Sequence, residues 1–187
     1  MKNQDPSQEQ LQSVLNLYTH GKLQQALSES SQMLERFPNS VVLYNISGAS
    51  NAALKRFDAA IESYKQALRI KPDYAEVHNN MGTALSDKGD FEGAIESYKN
   101  ALKIKPDYVG AYYNMGSVMK DKGDFEGAIE SYKQALRIKP DYAGAYNNMG
   151  NALSSKGDFE GAIESYKQAL RIKPDFAGAY NNMANAM

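Results

Sequence analysis

Apolar residues along this chain follow helical spacing twice within each stretch of 34 residues. In residues 73–87, Met81 and Leu85 lie four residues apart on one face, and His78 precedes Met81 by three. In residues 90–104, a second face with the same spacing is formed by Phe91, Ala94, Ile95, Tyr98, Ala101 and Leu102. The pattern therefore predicts two helices in each stretch, separated by a short turn.

The turn between the two helices carries residues that end one helix and begin the next. Gly89 can adopt the left-handed conformation that closes a helix, and Asp90 can accept from the free N–H groups of the following helix. Pro106 then ends the second helix, because proline is tolerated only outside a helix or in its first turn. We predict helical hairpins with tight connections.

The same hairpin returns along the chain. Residues 88–99 reappear unchanged at 122–133 and 156–167. Prolines keep the same step, at Pro38, Pro72, Pro106, Pro140 and Pro174. A fixed period of this length indicates a small unit that cannot bury its apolar face alone, so its neighbours supply the core. The sequence therefore predicts an all-α array instead of a domain with one central core.

The repeat divides the chain into segments. Residues 5–36 form a divergent capping repeat, because Val14 and Ser30 stand where later units carry glycine and tyrosine. After Pro174 one more first helix follows without a partner helix, so we interpret the chain as a fragment of a longer protein. The predicted segments are a flexible tail at 1–4, repeats at 5–36, 37–70, 71–104, 105–138 and 139–172, and a truncated final helix at 173–187.

Glycine recurs in the first helices, where neighbouring helices should touch. A glycine inside a helix costs about 1 kcal/mol relative to alanine, so its repeated use needs a compensating contact. We predict that a Cβ would block close packing in the column formed by Gly48, Gly82, Gly116 and Gly150.

Composition and charge argue against several classes of function. With 21 basic and 22 acidic residues the net charge is −1, so we expect no nucleic-acid partner and no membrane partner. The chain has no cysteine, which excludes disulfides and thiolate metal sites. We find no apolar signal segment at the start and no run of the roughly 20 apolar residues that a membrane span needs. We therefore expect a soluble, cytoplasmic protein.

Catalytic patterns are not found in the sequence. The two histidines are His20 and His78, and His78 stands where other units carry tyrosine, so we interpret it as a packing residue. Metal-ligand spacings, glycine-rich phosphate loops and nucleophile elbows are not found. We predict that the protein is not an enzyme and binds neither a cofactor nor a metal.

Polar residues form three columns on the opposite face of the first helices. Because an amide offers two donors and an acceptor, stacked units would present ladders able to hold a peptide backbone. Asparagine is also a poor helix former, so its repeated use indicates a purpose. The first column is Asn80, Asn114, Asn148 and Asn182. The second is Asn45, Asn79, Tyr113, Asn147 and Asn181, and the third is Thr83, Ser117, Asn151 and Asn185.

Together these features resemble the tetratricopeptide repeat, including bacterial arrays of such repeats. The resemblance covers nearly the whole chain, and its signature positions in the third unit are Gly82, Leu85, Ala94, Tyr98, Ala101 and Pro106. It implies a right-handed superhelical solenoid of stacked antiparallel helix pairs, with about five repeats plus one unpaired C-terminal helix.

The resemblance also implies where a ligand binds. First helices of such arrays line a concave groove for extended peptides, and the amide columns resemble the asparagine ladders of O-linked N-acetylglucosamine transferases. We therefore expect an interaction scaffold with a protein or peptide ligand. The predicted peptide-binding residues are Asn79, Asn80, Thr83, Tyr113, Asn114, Ser117, Asn147, Asn148, Asn151, Asn181 and Asn182.

Other interpretations stay open. In this family, asparagine at the position of Asn80 also helps to hold adjacent helices together. A second hypothesis is that the chain is the recruiting arm of a larger enzyme, similar to bacterial glycosyltransferases or sulfotransferases with such arrays. A third is head-to-tail self-association through residues 173–187. Capture of acidic tails is not expected, because Lys120 is the lone cation on the inner columns.

Overall fold

The computed structural model describes residues 5–187, in which eleven α-helices and no strands are found. The predicted flexible tail at residues 1–4 lies outside the described residues. The chain forms two compact units, unit 1 ending at Ile104 and unit 2 comprising Lys105–Met187. The helices are α1 (Gln8–Thr19), α2 (Leu23–Arg36), α3 (Val41–Ala53), α4 (Phe57–Ile70), α5 (Ala75–Lys88), α6 (Phe91–Ile104), α7 (Val109–Asp121), α8 (Phe125–Ile138), α9 (Ala143–Lys156), α10 (Phe159–Ile172) and α11 (Ala177–Asn185).

Consecutive helices pack against each other within each unit. In unit 1, α3 packs on α4 and α5 on α6, while α2 and α4 also contact the first helix of the next repeat. In unit 2, α7 packs on α8 and α9 on α10, and α8 and α10 contact the helix that follows the next turn. This all-α arrangement of packed helix pairs confirms the predicted fold class.

The turns contain the left-handed glycines and the capping aspartates that the sequence predicted. Gly89 and Gly157 adopt left-handed conformations with φ of 90° and 88°, and each closes the first helix of its repeat. The Asp124 and Asp158 carboxylates each accept from a backbone N–H three residues later, at 2.9 Å. These bonds satisfy donors that have no partner within the helix.

Two lysines at the ends of first helices form ion pairs with the preceding repeat. Lys88 Nζ lies 2.6 Å from Asp58 Oδ1, and this carboxylate raises the pKa of Lys88. Lys156 Nζ lies 2.9 Å from Glu126 Oε1 and lowers the pKa of Glu126. The lysines therefore contact a neighbouring helix as well as lying at a helix end.

Lys55 occupies the turn position that later repeats give to glycine. Its φ of 59° makes it the one non-glycine residue with positive φ in the described part of the chain. A residue with a Cβ loses about 1–2 kcal/mol in this conformation. The second repeat therefore contains a strained turn.

We expect Lys55→Gly to stabilise unit 1 by about 0.5–1 kcal/mol, because the relief of strain exceeds the entropy that glycine adds to the unfolded chain. Urea unfolding followed by circular dichroism measures this change. Lys55→Ala removes the same charge but keeps a Cβ, so it should give no such gain. Equal stability of the two variants would contradict the strain assignment.

A buried tyrosine fills the interface within each of four helix pairs. Tyr64, Tyr98, Tyr132 and Tyr166 are at most 2% exposed. A Cβ built on Gly82 would lie 2.7 Å from Tyr98 Cε1. The same contact recurs at Gly150, where the distance to the Tyr166 ring would be 2.6 Å. The prediction that these glycines permit close packing is thus confirmed, and the partner is the tyrosine ring.

Gly116→Ala should destabilise the protein by about 1–3 kcal/mol, because its Cβ would overlap the Tyr132 ring and force the packed pair apart. A Cβ there would lie 2.9 Å from Tyr132 Cε1. Gly110 belongs to the same helix, and its added Cβ would meet only the Tyr108 ring at 3.4 Å. Gly110→Ala is therefore the matched control and should not destabilise. Thermal and urea unfolding compare the two; similar losses in both would exclude the ring contact as the cause.

Candidate peptide-binding surface

First helices of neighbouring repeats contact each other directly. In unit 1 this contact joins α1 to α3 and α3 to α5, and in unit 2 it joins α7 to α9 and α9 to α11. The predicted polar columns lie along these contacts. We call this side of each unit the first-helix surface.

Amide side chains bridge one first helix to the next. In unit 1, Asn80 Nδ2 donates to Asn45 Oδ1 at 3.2 Å. In unit 2, Asn148 Nδ2 donates to the Tyr113 hydroxyl and Asn182 Nδ2 donates to Asn147 Oδ1, both at 3.0 Å. Each bond joins residues 35 positions apart, so it links the first polar column to the second.

Bonds between neighbouring residues of one helix extend these bridges into chains. Asn147 Nδ2 donates to Asn148 Oδ1 at 3.3 Å, so unit 2 contains a chain from Asn182 through Asn147 and Asn148 to Tyr113. In unit 1, Asn79 Nδ2 lies 3.4 Å from Asn80 Oδ1. The hypothesis that the asparagines hold adjacent helices together is therefore confirmed for these residues.

The predicted residues differ in how much of each side chain reaches solvent. Asn79 and Asn147 are only 8% exposed and lie between helices. Thr83 and Asn181 are exposed. The remaining seven are half-buried, namely Asn80, Tyr113, Asn114, Ser117, Asn148, Asn151 and Asn182. A ligand on the first-helix surface can therefore contact every column, but the second column mainly through Tyr113 and Asn181.

The third column meets the hydroxyls of the buried tyrosines. Thr83 Oγ1 lies 3.2 Å from the Tyr98 hydroxyl, and the Tyr166 hydroxyl donates to Asn151 Oδ1 at 2.8 Å. Ser117 makes the corresponding contact with the Tyr132 hydroxyl at 3.1 Å. Each tyrosine thus extends from the second helix past a glycine to the first-helix surface. Sequence reasoning missed this link, although a tyrosine 15 residues after each polar position was visible.

Comparison with known families identifies the repeat. The model of the TPR repeat matches residues 51–89, 82–123, 118–157 and 150–187, which together cover most of the chain. The chain belongs to the tetratricopeptide repeat (TPR) family. No curated protein sequence matches it.

Solved structures with the same fold include MamA, which has 28% identity and a TM-score of 0.80 over 87% of this chain and 95% of that chain. YrrB has 20% identity and a TM-score of 0.78, covering 97% of this chain and 93% of its own. The Thermus thermophilus protein TTC0263 has 23% identity and a TM-score of 0.73, covering 96% and 97%. For YrrB and TTC0263, whose sequence identities are 20% and 23%, the likeness shows the fold alone.

Tyr113 forms an aromatic cluster within the amide chain of this TPR protein. Its ring centroid lies 4.9 Å from that of Tyr142 and 5.9 Å from that of Tyr132. Lys139 Nζ lies over the Tyr142 ring, 5.4 Å from its centroid. Unit 2 therefore offers an aromatic surface beside its amides.

A lysine ammonium group over an aromatic ring recurs in the turns between successive TPR repeats. It was not foreseen from the sequence, although a lysine three residues before an aromatic residue repeats with the period. The ammonium-to-centroid distances are 5.0–5.5 Å for Lys71 with Tyr74, Lys105 with Tyr108, Lys139 with Tyr142 and Lys173 with Phe176.

The other sequence candidates have local partners. His78 Nε2 lies 2.9 Å from the Pro72 carbonyl oxygen, which agrees with a packing role. Lys120 Nζ lies 2.5 Å from the neighbouring Asp121 carboxylate. Residues 5–187 contain no cluster of three side chains suited to hold a metal ion. None of their helices combines the length and apolar character needed to cross a membrane.

Burial raises the pKa of both Tyr98 and Tyr132 to about 12, against the opposing effect of the bonds from Thr83 and Ser117. In the unfolded chain a tyrosine ionises near pH 10, at about its ordinary pKa. Between about pH 10 and pH 12 the unfolded state therefore binds fewer protons than the folded state.

We expect stability to be intact below about pH 10 and to fall as the pH rises toward 12, because unfolding then releases these protons. Urea midpoints measured across this range give the slope. Lysines titrate in the same range, so the slope of Tyr132→Phe must be compared with that of the parent protein. A smaller slope in the variant is expected, whereas an unchanged slope would exclude Tyr132 as a contributor.

Proposed function

We propose that this TPR protein is a non-catalytic interaction scaffold whose first-helix surfaces bind an extended peptide segment of a partner protein. The observation that carries the proposal is the set of half-buried amides that bridge first helices within each unit, namely Asn80, Asn148 and Asn182. TPR architecture itself is consistent with protein–protein interaction.

The bridging amides keep hydrogen-bonding capacity. A side-chain amide has two N–H donors, and the bridges of Asn80 and Asn182 each use one of them. The second N–H can donate to a peptide carbonyl. Helices packed side by side lie about 8–10 Å apart. An extended chain advances about 3.3 Å per residue, so one amide per repeat would meet about every third peptide residue.

Fixed orientation favours binding by these amides. Because neighbouring side chains already hold Asn80 and Asn182, little rotamer freedom remains to be lost when a ligand arrives. The third column adds hydroxyl and amide groups that the buried tyrosines orient. Asn79 and Asn147 contribute in this proposal by positioning their neighbours, because little of either side chain reaches solvent.

Side-chain selection falls to the aromatic cluster. Tyr113 interrupts a column that otherwise holds asparagine, and its half-buried ring stacks on Tyr142. A ring of this kind accepts an apolar or proline side chain next to a bonded backbone. The protein YrrB, described as a TPR protein with an unusual peptide-binding site, supports only that such a fold can hold a peptide.

The test uses a displayed library of random linear peptides, selected on the intact protein, and fluorescence anisotropy of the enriched sequences. The double variant Asn148→Ala and Asn182→Ala, which removes two bridging amides of unit 2, should weaken binding by about 5–30-fold, the effect of losing two hydrogen bonds of roughly 0.5–1 kcal/mol each. In the selected peptides, N-methylation alters a backbone donor, and replacement of a carbonyl group by a methylene group alters a backbone acceptor. At most peptide positions, replacement of the carbonyl group should weaken binding more than replacement of the side chain by that of alanine.

Asn100→Ala is the matched control, because this asparagine lies on the second helix α6 and its side chain bonds only Lys103 among the described residues. Its binding should equal that of the parent. Circular dichroism confirms that each variant is folded. Unchanged affinity in the folded double variant, or failure of the intact protein to select any peptide, would overturn the proposal.

The recruiting-arm and self-association hypotheses stay predictions. Tyr180 of α11 is 50% exposed. It belongs to residues 173–187, which the self-association hypothesis concerns.

A further inference from the structure

One buried tyrosine of unit 1 departs from the pattern of the others. The hydroxyls of Tyr98, Tyr132 and Tyr166 each meet a polar residue 15 positions earlier. For Tyr64 that position is Ala49, which carries no polar group. Among residues 5–187, no side chain or backbone group forms a hydrogen bond with the Tyr64 hydroxyl. A tyrosine hydroxyl without a protein partner is therefore directed to the region of Ala49.

An open pocket of about 290 Å³ lies at this place on the first-helix surface of unit 1. Its apolar lining includes Ala49, Ala52 and Ala53 of α3. Its polar lining includes Tyr18 of α1, Tyr64 of α4 and Asp87 of α5. We call this the alanine pocket.

The lining of the alanine pocket carries a negative charge that has no counter-charge. Asp87 is exposed and forms no ion pair within the described residues, and none of the residues that line the pocket is basic. The equivalent residue in unit 2, Asp121, is paired with Lys120 at 2.5 Å. The pocket in unit 1 is therefore the one of these two places with a carboxylate available to a cation.

Two tyrosines among the residues that line the pocket supply hydroxyl oxygen atoms. Burial raises the pKa of Tyr64, and the neighbouring Tyr18 adds to the effect. The Tyr64 hydroxyl thus remains protonated at neutral pH, and a tyrosine hydroxyl can accept a hydrogen bond as well as donate one. Asn80, which also lines the pocket, joins it to the amide bridge with Asn45.

We infer that the alanine pocket binds a basic side chain, lysine or arginine, of a peptide extended along the first-helix surface. The methylene groups of that side chain pack on the alanines, and its cationic head donates to Asp87 and to the tyrosine hydroxyl oxygens. This inference rests on the proposed function, because it assigns the amide-lined surface of unit 1 a preference for a basic residue.

The lack of a polar residue at position 49 is what opens the pocket. Hydrogen bonds join the tyrosine hydroxyls of the other three repeats to Thr83, Ser117 and Asn151. In the variant Ala49→Thr, the threonine should likewise bond the Tyr64 hydroxyl, and it should narrow the pocket. This variant thus closes the pocket by introducing the kind of polar residue that three other repeats carry at the same position.

The probe is Nα-acetyl-lysine N-methylamide, titrated into the intact ¹⁵N-labelled protein and followed by NMR. We expect shifts of the backbone amides of Ala49, Ala52 and Ala53 that weaken with added salt. The norleucine analogue has the same stem without the charge and should bind at least about threefold more weakly, the effect of losing a solvent-exposed ion pair. Equal shifts by the two probes, or none by the lysine probe, would overturn the inference.

Two variants with a matched control extend the test. Asp87→Asn and Ala49→Thr should each lower the affinity of the lysine probe by about threefold or more, the first by removing the charge and the second by filling the pocket. Asp121→Asn, at the equivalent place in unit 2, should leave it unchanged. Thermal unfolding checks that each variant is folded; unaltered affinity in both folded pocket variants would contradict the assignment.

The probe separates this inference from the proposed function, because a single residue has no extended backbone. If library peptides bind through the amides but carry no basic residue that depends on Asp87, the pocket assignment fails and the scaffold proposal stands. If the lysine probe binds but no peptide does, the scaffold proposal fails. The part of the inference that places the basic residue in an extended peptide then fails with it.

Discussion

The contact between a tyrosine ring and a glycine of the preceding helix is the constraint on which the four repeats with a buried tyrosine depend. Tyr98 packs so closely on Gly82 that a single added carbon would lie 2.7 Å from its ring. This approach buries the largest side chain of the repeat and fixes the separation of the two helices. The cost of glycine within a helix, about 1 kcal/mol, is offset because the ring then fills the space between the helices.

The same contact determines the chemistry of the first-helix surface. A tyrosine that passes a glycine extends its hydroxyl to the far side of the first helix, where Thr83 or Asn151 meets it. The polar residues there are consequently oriented by two neighbours, namely the tyrosine of the same repeat and the neighbouring first helix. Packing and recognition are thus coupled, since the residue that holds the helix pair together also positions groups that face a ligand. Where the partner is Ala49, the same geometry leaves a pocket instead.

Most of the helical architecture was predictable from local pattern. Gly89 and Asp90 specify the turn through backbone conformation and capping, both of which are decided within a few residues. The polar columns were also predictable, because the helical period fixes which residues share a face. Their hydrogen bonds were not. Asn148 bonds Tyr113, 35 positions earlier, and the offset from the 34-residue period arises from how two neighbouring helices are placed side by side.

The sequence by itself determined the repeat, its helices, its turns and the faces on which glycine, tyrosine and asparagine lie, because short-range periodicity and capping control all of these. Tertiary structure alone decided which amides are covered and which reach solvent. Asn79 and Asn80 are adjacent in sequence, yet Asn79 is 8% exposed and Asn80 is half-buried. The difference arises because burial depends on the surface of the neighbouring helix, which no single helix encodes.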